Sequence, residues 1–178
     1  MNVNVAINPV YYPYLKDERR LQIYYGGSSS GKSFFLCQRI ILDLLEGKRN
    51  YLVIRNVMAT IRLSTFNELT KAILSMNVQN YFNINMSNLT ITCKLNNKQI
   101  MFYGCDQIEK VKSITPKDGV LTDIFIEEAT EVDYNSYKQL RKRLRGRSDV
   151  PKRVTMAFNP ILRSHWIYEE FFEKVWRD

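Results

Sequence analysis

Eight residues, Gly26-Gly27-Ser28-Ser29-Ser30-Gly31-Lys32-Ser33, restrict the folds open to this chain more than any other stretch. They satisfy G-x-x-x-x-G-K-[ST], a spacing in which backbone N–H groups wrap phosphate oxygens just before a helix begins. The flanks agree with that geometry. Leu21-Gln22-Ile23-Tyr24-Tyr25 reads as a strand entering the loop, and Phe34 to Leu45 as the helix leaving it. Phe34, Leu36, Cys37, Ile40, Ile41, Leu44 and Leu45 form the expected apolar face of that helix. Its N-terminus adds partial positive charge. The Lys32 ammonium is expected on the β- and γ-phosphates, and the Ser33 hydroxyl on Mg²⁺. The competing reading, a serine-rich surface turn, is disfavoured by the strand–loop–helix setting.

A chain of 178 residues with 45% hydrophobic and 25% charged residues has the size and composition of one globular domain. Residues 1–20 read as an N-terminal arm and 21–178 as the core. No stretch approaches the ~20 apolar residues of a membrane span, and Met1 to Val10 carries no secretory pattern. Cys37, Cys93 and Cys105 are odd in number and lack metal-ligand spacing, so free thiols in a reducing cytoplasm are expected. His165 stands alone, which argues against zinc chemistry and Ser-His or Cys-His nucleophiles.

The net charge of +8 is concentrated. Between Lys138 and Arg153 lie eight basic residues (Lys138, Arg141, Lys142, Arg143, Arg145, Arg147, Lys152 and Arg153) and one acid, Asp149. Such a block is either a solvated face or a contact for a polyanion, meaning a DNA backbone or a neighbour's triphosphate. Charge alone does not separate these.

Elsewhere the pattern alternates between strand and helix. Gly47 ends the first helix and Tyr51-Leu52-Val53-Ile54 reads as a buried parallel strand. Thr60 to Met76 has helical spacing. Tyr81–Asn85, Leu89–Leu95 and Gln99–Tyr103 are short runs separated by polar turns, which suggests an antiparallel insertion. Val120–Ile126 predicts a buried strand, and Asp133 to Leu144 a helix with Asp133 as its cap and Gly146 past its end. Val154–Phe158 predicts a last strand, and Ser164–Val175 a last helix. The fold class expected is α/β: a P-loop NTPase of the RecA-like ASCE type, with a mainly parallel sheet flanked by helices and a short antiparallel insertion.

Phosphate binding becomes hydrolysis when a metal carboxylate and a water-activating group are added. Ile124-Phe125-Ile126-Glu127-Glu128 offers both. An apolar strand ending in two acids sets Glu127 beside Mg²⁺ and Glu128 facing the γ-phosphate as catalytic base. Glu127 stands where such sites more often carry Asp, so a longer side chain must be accommodated. Asn159 ends another apolar strand and precedes Pro160. Its amide is placed to bond the γ-phosphate and report its loss; a plain Asn-Pro turn is the alternative.

In this order, the loop, the acidic pair and Phe158-Asn159-Pro160 resemble the ATPase part of the large terminase subunit of tailed bacteriophages. Further similar stretches are Tyr24–Ser33, Arg55 with Ile61–Phe66, Phe102–Asp106 with Lys110–Ile114, and Glu127-Glu128-Ala129-Thr130-Glu131. The resemblance implies an ATP- and Mg²⁺-dependent motor that moves double-stranded DNA into a procapsid in the cytoplasm of an infected bacterial host. It implies a homo-oligomeric ring, with the portal and the small terminase subunit as partners and no membrane. Lys32 and Ser33 take the phosphate and Mg²⁺ roles, Glu127 the metal, Glu128 the base and Asn159 the coupling of hydrolysis to movement. Tyr11, Tyr12 and Tyr14 lie where the family places adenine contacts, although packing roles remain open.

Two departures from the family matter. Ser28 and Ser29 occupy positions where the family often has Arg and Gly, so the charge-stabilising finger must come from elsewhere. A finger contributes about 10³–10⁵-fold in rate. The expected sources are Arg143, Arg145 and Arg147 of the basic block, or Lys110 and Lys112, supplied by a neighbouring subunit. The family also continues into a lid and a nuclease domain, whereas few residues follow Pro160 here and they carry no carboxylate cluster. An ATPase core without nuclease activity is therefore expected. Two other functions stay in view: a nucleotide-binding module with little turnover, and another DNA-dependent RecA- or helicase-like ATPase.

Overall fold

Apolar runs bounded by polar turns become strands, and the amphipathic stretches between them become helices. The computed structural model describes Val3, residues 5–111 and residues 113–174. A 3₁₀ turn, Pro9–Tyr14, leads to β1 (Leu21–Tyr25), the phosphate loop and α1 (Lys32–Glu46). There follow β2 (Tyr51–Arg55), α2 (Met58–Ile61), α3 (Thr65–Ser75), β3 (Phe82–Asn85), β4 (Thr90–Cys93) and β5 (Gln99–Gly104). The remainder is α4 (Ile108–Val111), β6 (Asp123–Glu127), α5 (Tyr134–Arg141), β7 (Arg153–Phe158) and α6 (Trp166–Tyr168), which continues as a π-helical turn over Glu169–Glu173.

The described strands form one sheet in the order β1-β7-β6-β2-β5-β4-β3. The first five positions are parallel, and β5, β4 and β3 form an antiparallel meander at the edge. The insertion expected from the three short runs is thus an extension of the sheet. Period-two alternation divides the core. Tyr51, Val53, Phe102 and Phe125 face α1 and α3, while Leu52, Ile54, Ile124, Ile126, Val154 and Met156 face α5 and α6.

Several expected boundaries shift, each for a local reason. Phe34 is exposed, and Phe35 is buried in its place. The N-terminal arm supplies a second wall there, with Tyr11 stacked on Phe35 at 4.6 Å between ring centroids. The helix expected over Thr60–Met76 is interrupted: Ser64 has φ −108° and ψ −104°, outside the helical region, and α3 starts anew at Thr65. α5 ends at Arg141 rather than Leu144. The last helix keeps α-helical form only over Trp166–Tyr168, and Val175 lies outside the described residues.

Arg153 also departs from expectation. Counted within the basic block, it is 1% exposed. Its Nε donates to Asp123 Oδ1 at 2.5 Å and its Nη2 to Tyr51 Oη at 2.6 Å, with Asp43 as a further ion-pair partner. Arg49 Nη1 meets Asp123 Oδ2 at 3.2 Å and donates to the Pro151 carbonyl at 2.8 Å. This network closes the amino end of the sheet on the α1 face.

Asp133 caps α5 as expected, accepting the backbone N–H groups of Asn135 and Ser136 at 2.9 and 3.0 Å. The Ser136 hydroxyl, then that residue's N–H, hold the carboxyl below its ordinary range. A group whose folded-state pKa is depressed stabilises above its unfolded value and loses that contribution as pH falls. Loss of this helix cap in Asp133→Ala should cost about 1 kcal/mol near pH 7. Denaturant titrations at pH 7 and pH 3 should show that difference shrinking at the lower pH.

The three cysteines are buried free thiols. Burial pushes Cys37 well up and Cys105 to about 12. Because all three are buried, a disulfide-exchange reagent at pH 8 should leave them unmodified in the folded protein and label three once it is denatured. Rapid labelling of the native protein would contradict this packing.

Candidate nucleotide site

The carboxyl ends of β1, β7, β6 and β2 bring the expected residues to one edge. Tyr25 pairs with Phe158, so Gly26 and Asn159 leave adjacent strands side by side, and the Gly26 N–H donates to the Phe158 carbonyl at 3.3 Å. Glu127 pairs with Ala157 on the other flank of β7. The strand carrying Asn159 therefore lies between the phosphate-loop strand and the acid-bearing strand.

Within the loop, the Ser30 N–H donates to the Gly27 carbonyl at 3.1 Å, and Gly31 has φ +78°, a conformation that glycine adopts without Cβ strain. Gly27, Ser28, Ser29, Ser30 and Gly31 are exposed, Gly26 and Ser33 are half-buried, and Lys32 is buried. Lys32 Nζ folds back to donate to the Gly26 and Gly27 carbonyls at 3.1 and 3.3 Å and to Asn159 Oδ1 at 3.0 Å. The loop lysine and the Asn that follows β7, 127 residues apart, thus touch directly. Tyr11 braces the loop from behind, its hydroxyl donating to the Ser30 carbonyl at 2.8 Å. Tyr11 is buried by that packing, whereas Tyr12 and Tyr14 are exposed.

Glu127 is buried and Glu128 half-buried. Burial raises the Glu127 carboxyl above its ordinary range; the hydrogen bond from Thr65 opposes this and repulsion from Glu68 adds to it. The Thr65 hydroxyl donates to Glu127 Oε2, and Arg55 Nε lies 3.9 Å from the same oxygen. Glu128 has φ +47° and ψ +52°, left-handed backbone that residues other than glycine rarely adopt. Gly104, at the end of β5, packs so tightly on α2 that an added Cβ would lie 2.3 Å from the Met58 nitrogen.

The hydroxyl of Ser33 and the carboxylate of Glu127 are hard oxygen donors of the kind Mg²⁺ takes, with most of its shell left to phosphates and water. No group of three acidic, His or Cys side chains among the described residues could hold a metal alone. The donor set fits a metal brought in with a nucleotide.

The expected finger residues lie elsewhere. Arg147 lines a groove with Lys48, Asn50, Lys98 and Thr122 at the amino end of the sheet, opposite the phosphate loop. Arg143 is half-buried and Arg145 exposed in the turns that follow α5. Lys110 lines a groove on the antiparallel meander with Asn83, Thr92 and Tyr103. Lys112 lies outside the described residues. Sequence reasoning missed Thr65 and Glu68 as neighbours of Glu127, and gave Arg55 no role in the site.

A strand–loop–helix phosphate cradle, with an additional parallel strand between it and the acidic strand, defines a P-loop NTPase fold of the ASCE type. Comparison with known proteins narrows this. The profile of the phage terminase large subunit family matches residues 18–178. The PBSX phage terminase large subunit of Bacillus subtilis (strain 168) is 35% identical over 167 residues, covering 93% of this chain and 37% of that protein. The large subunit of Bacillus phage SPP1 is 28% identical over 151 residues, covering 82% of this chain and 36% of that protein. The large terminase of a thermophilic bacteriophage, solved also in complex with ATP-γ-S, superposes with a TM-score of 0.71. That match has 17% identity and covers 92% of this chain and 39% of the other. The chain belongs to the phage terminase large subunit family. It spans a little over a third of the length of the curated relatives it matches.

Proposed function

We propose that this chain is the ATP-hydrolysing domain of a phage DNA-packaging motor, built as a single unit over residues 1–178. The observation carrying this reading is the meeting of Lys32 with Asn159 beside the Glu127–Glu128 strand end. The thermophilic-phage terminase complex with ATP-γ-S supports ATP as the ligand.

The chain's own groups divide the work. The exposed loop amides receive the phosphates, and Lys32 turns from its carbonyl partners and Asn159 to the β- and γ-oxygens. Asn159, freed from the ammonium, bonds the γ-phosphate and loses that bond after cleavage. Glu128 accepts a proton from the attacking water. Magnesium, held through Ser33 and Glu127, would neutralise charge on the phosphate oxygens when bound. Family membership supports assembly into a ring on double-stranded DNA, with portal and small-subunit partners in the host cytoplasm. The basic residues Lys138, Arg141, Lys142, Arg143, Arg145 and Arg147 then contact DNA or a neighbouring subunit. Among the described residues no helix is long and apolar enough to cross a membrane.

Steady-state ATP turnover, measured with and without duplex DNA across a range of protein concentrations, tests the proposal. Turnover that needs Mg²⁺ and rises with DNA is expected. Nucleotide binding without hydrolysis under every condition would reduce the chain to a binding module.

A further inference from the structure

The phosphate loop contributes one cation, Lys32, to a site surrounded by acids. β2 and β6 pair through Ile54 and Ile126, so the following residues, Arg55 and Glu127, leave neighbouring strands together. Arg55 Nε lies 3.9 Å from Glu127 Oε2 and is buried without a hydrogen-bond partner. Glu68, three residues along α3 from Thr65, also has a buried oxygen without a partner, and its charge repels that of Glu127. The carboxylates of Glu68, Glu127 and Glu128 and the incoming triphosphate therefore place a large negative charge around Lys32 and Arg55.

We propose that Arg55 is a cis-acting positioning residue of the hydrolytic site. It holds the Glu127 carboxylate against the Thr65 hydroxyl and offsets the negative charge that Glu127 and Glu68 present to the triphosphate. The inference rests on the hydrolytic reading above and adds a residue to it. A charge fixed in place before reaction needs no reorganisation during it, and one such group typically carries about 10²–10³-fold in kcat. Because Arg55 belongs to the same subunit as Glu127, its contribution should not pass between subunits.

The test compares Arg55→Gln, Arg55→Lys and wild type in the full chain, by turnover, by affinity for a fluorescent ATP analogue and by thermal melting. Arg55→Gln is expected to lower kcat about 100-fold, with affinity within a few-fold of wild type and an unchanged melt. Arg55→Lys keeps the charge without the planar Nε contact and should regain part of that loss. Mixing Arg55→Gln with Glu128→Gln subunits should restore nothing, because each site would still lack one of its own groups. Restoration on mixing would make Arg55 a trans group and overturn the proposal. So would wild-type kcat in Arg55→Gln. If Arg55→Gln melts early, a natively folded Arg55→Lys decides: reduced kcat supports the role and wild-type kcat refutes it. A wild-type chain without turnover sinks the hydrolytic reading itself, a result distinct from these.

Discussion

Glu128→Gln is expected to lower ATP turnover about 10²–10⁴-fold, the usual contribution of a positioned general base, while nucleotide affinity stays within a few-fold. The amide keeps the volume and much of the hydrogen bonding of the carboxylate but cannot accept the proton of the attacking water. Glu128 follows directly on Glu127, whose register with Ala157 places it one strand from the Asn159 strand end. In the proposed mechanism nucleotide binding draws on other groups, namely the loop amides, Lys32 and Ser33, so it should survive. Equilibrium binding of a fluorescent nucleotide set beside steady-state turnover separates the two effects. Equal losses in both would mean that Glu128 shapes the loop, and retained turnover would place the base elsewhere.

Asp123→Ala should be the most destabilising of these substitutions, costing about 3–5 kcal/mol because it strands buried charge. Asp123 is 1% exposed and receives both Arg153 Nε and Arg49 Nη1. Burial pushes its carboxyl up, and the nearby Arg153 and Arg49 charges oppose that shift. Without it, two guanidinium groups remain in the interior facing less negative charge. Domains of this kind are stable by about 5–15 kcal/mol in total, so the denaturation midpoint should fall sharply or folding should fail. Glu46→Ala removes an exposed partner of Lys16 and should change stability by at most about 1 kcal/mol. Similar costs for the two would show that the Arg153 cluster is solvated in solution.

The contrast between Arg153 and its sequence neighbours marks where sequence reasoning stops. In the chain Arg153 is one more cation in a basic run. Its partners Asp123, Tyr51 and Asp43 lie 30, 102 and 110 residues away, and nothing local announces them. The loop and the acid-bearing strand end, both placed at the carboxyl edge of the sheet, were legible because each is written in contiguous residues with a fixed spacing. So was the parallel core, since strands buried on both faces read as unbroken apolar runs. Phe35 was not, because the wall that buries it comes from the N-terminal arm. The surroundings of Glu127 were hidden for a similar reason. Thr65 comes within reach only because the helix breaks at Ser64, and Arg55 because β2 lies beside β6.

The left-handed backbone at Glu128 has a consequence for how this chain can change. Glycine is the residue that conformation favours, and a non-glycine residue there costs about 1–2 kcal/mol. A library of variants sorted for thermal tolerance alone should therefore enrich Glu128→Gly, and the same library sorted for ATP turnover should discard it. Position 128 is thus one where selection for a sturdier protein and selection for a working one pull in opposite directions. Working relatives drawn from hosts of different growth temperature should still carry the acid there.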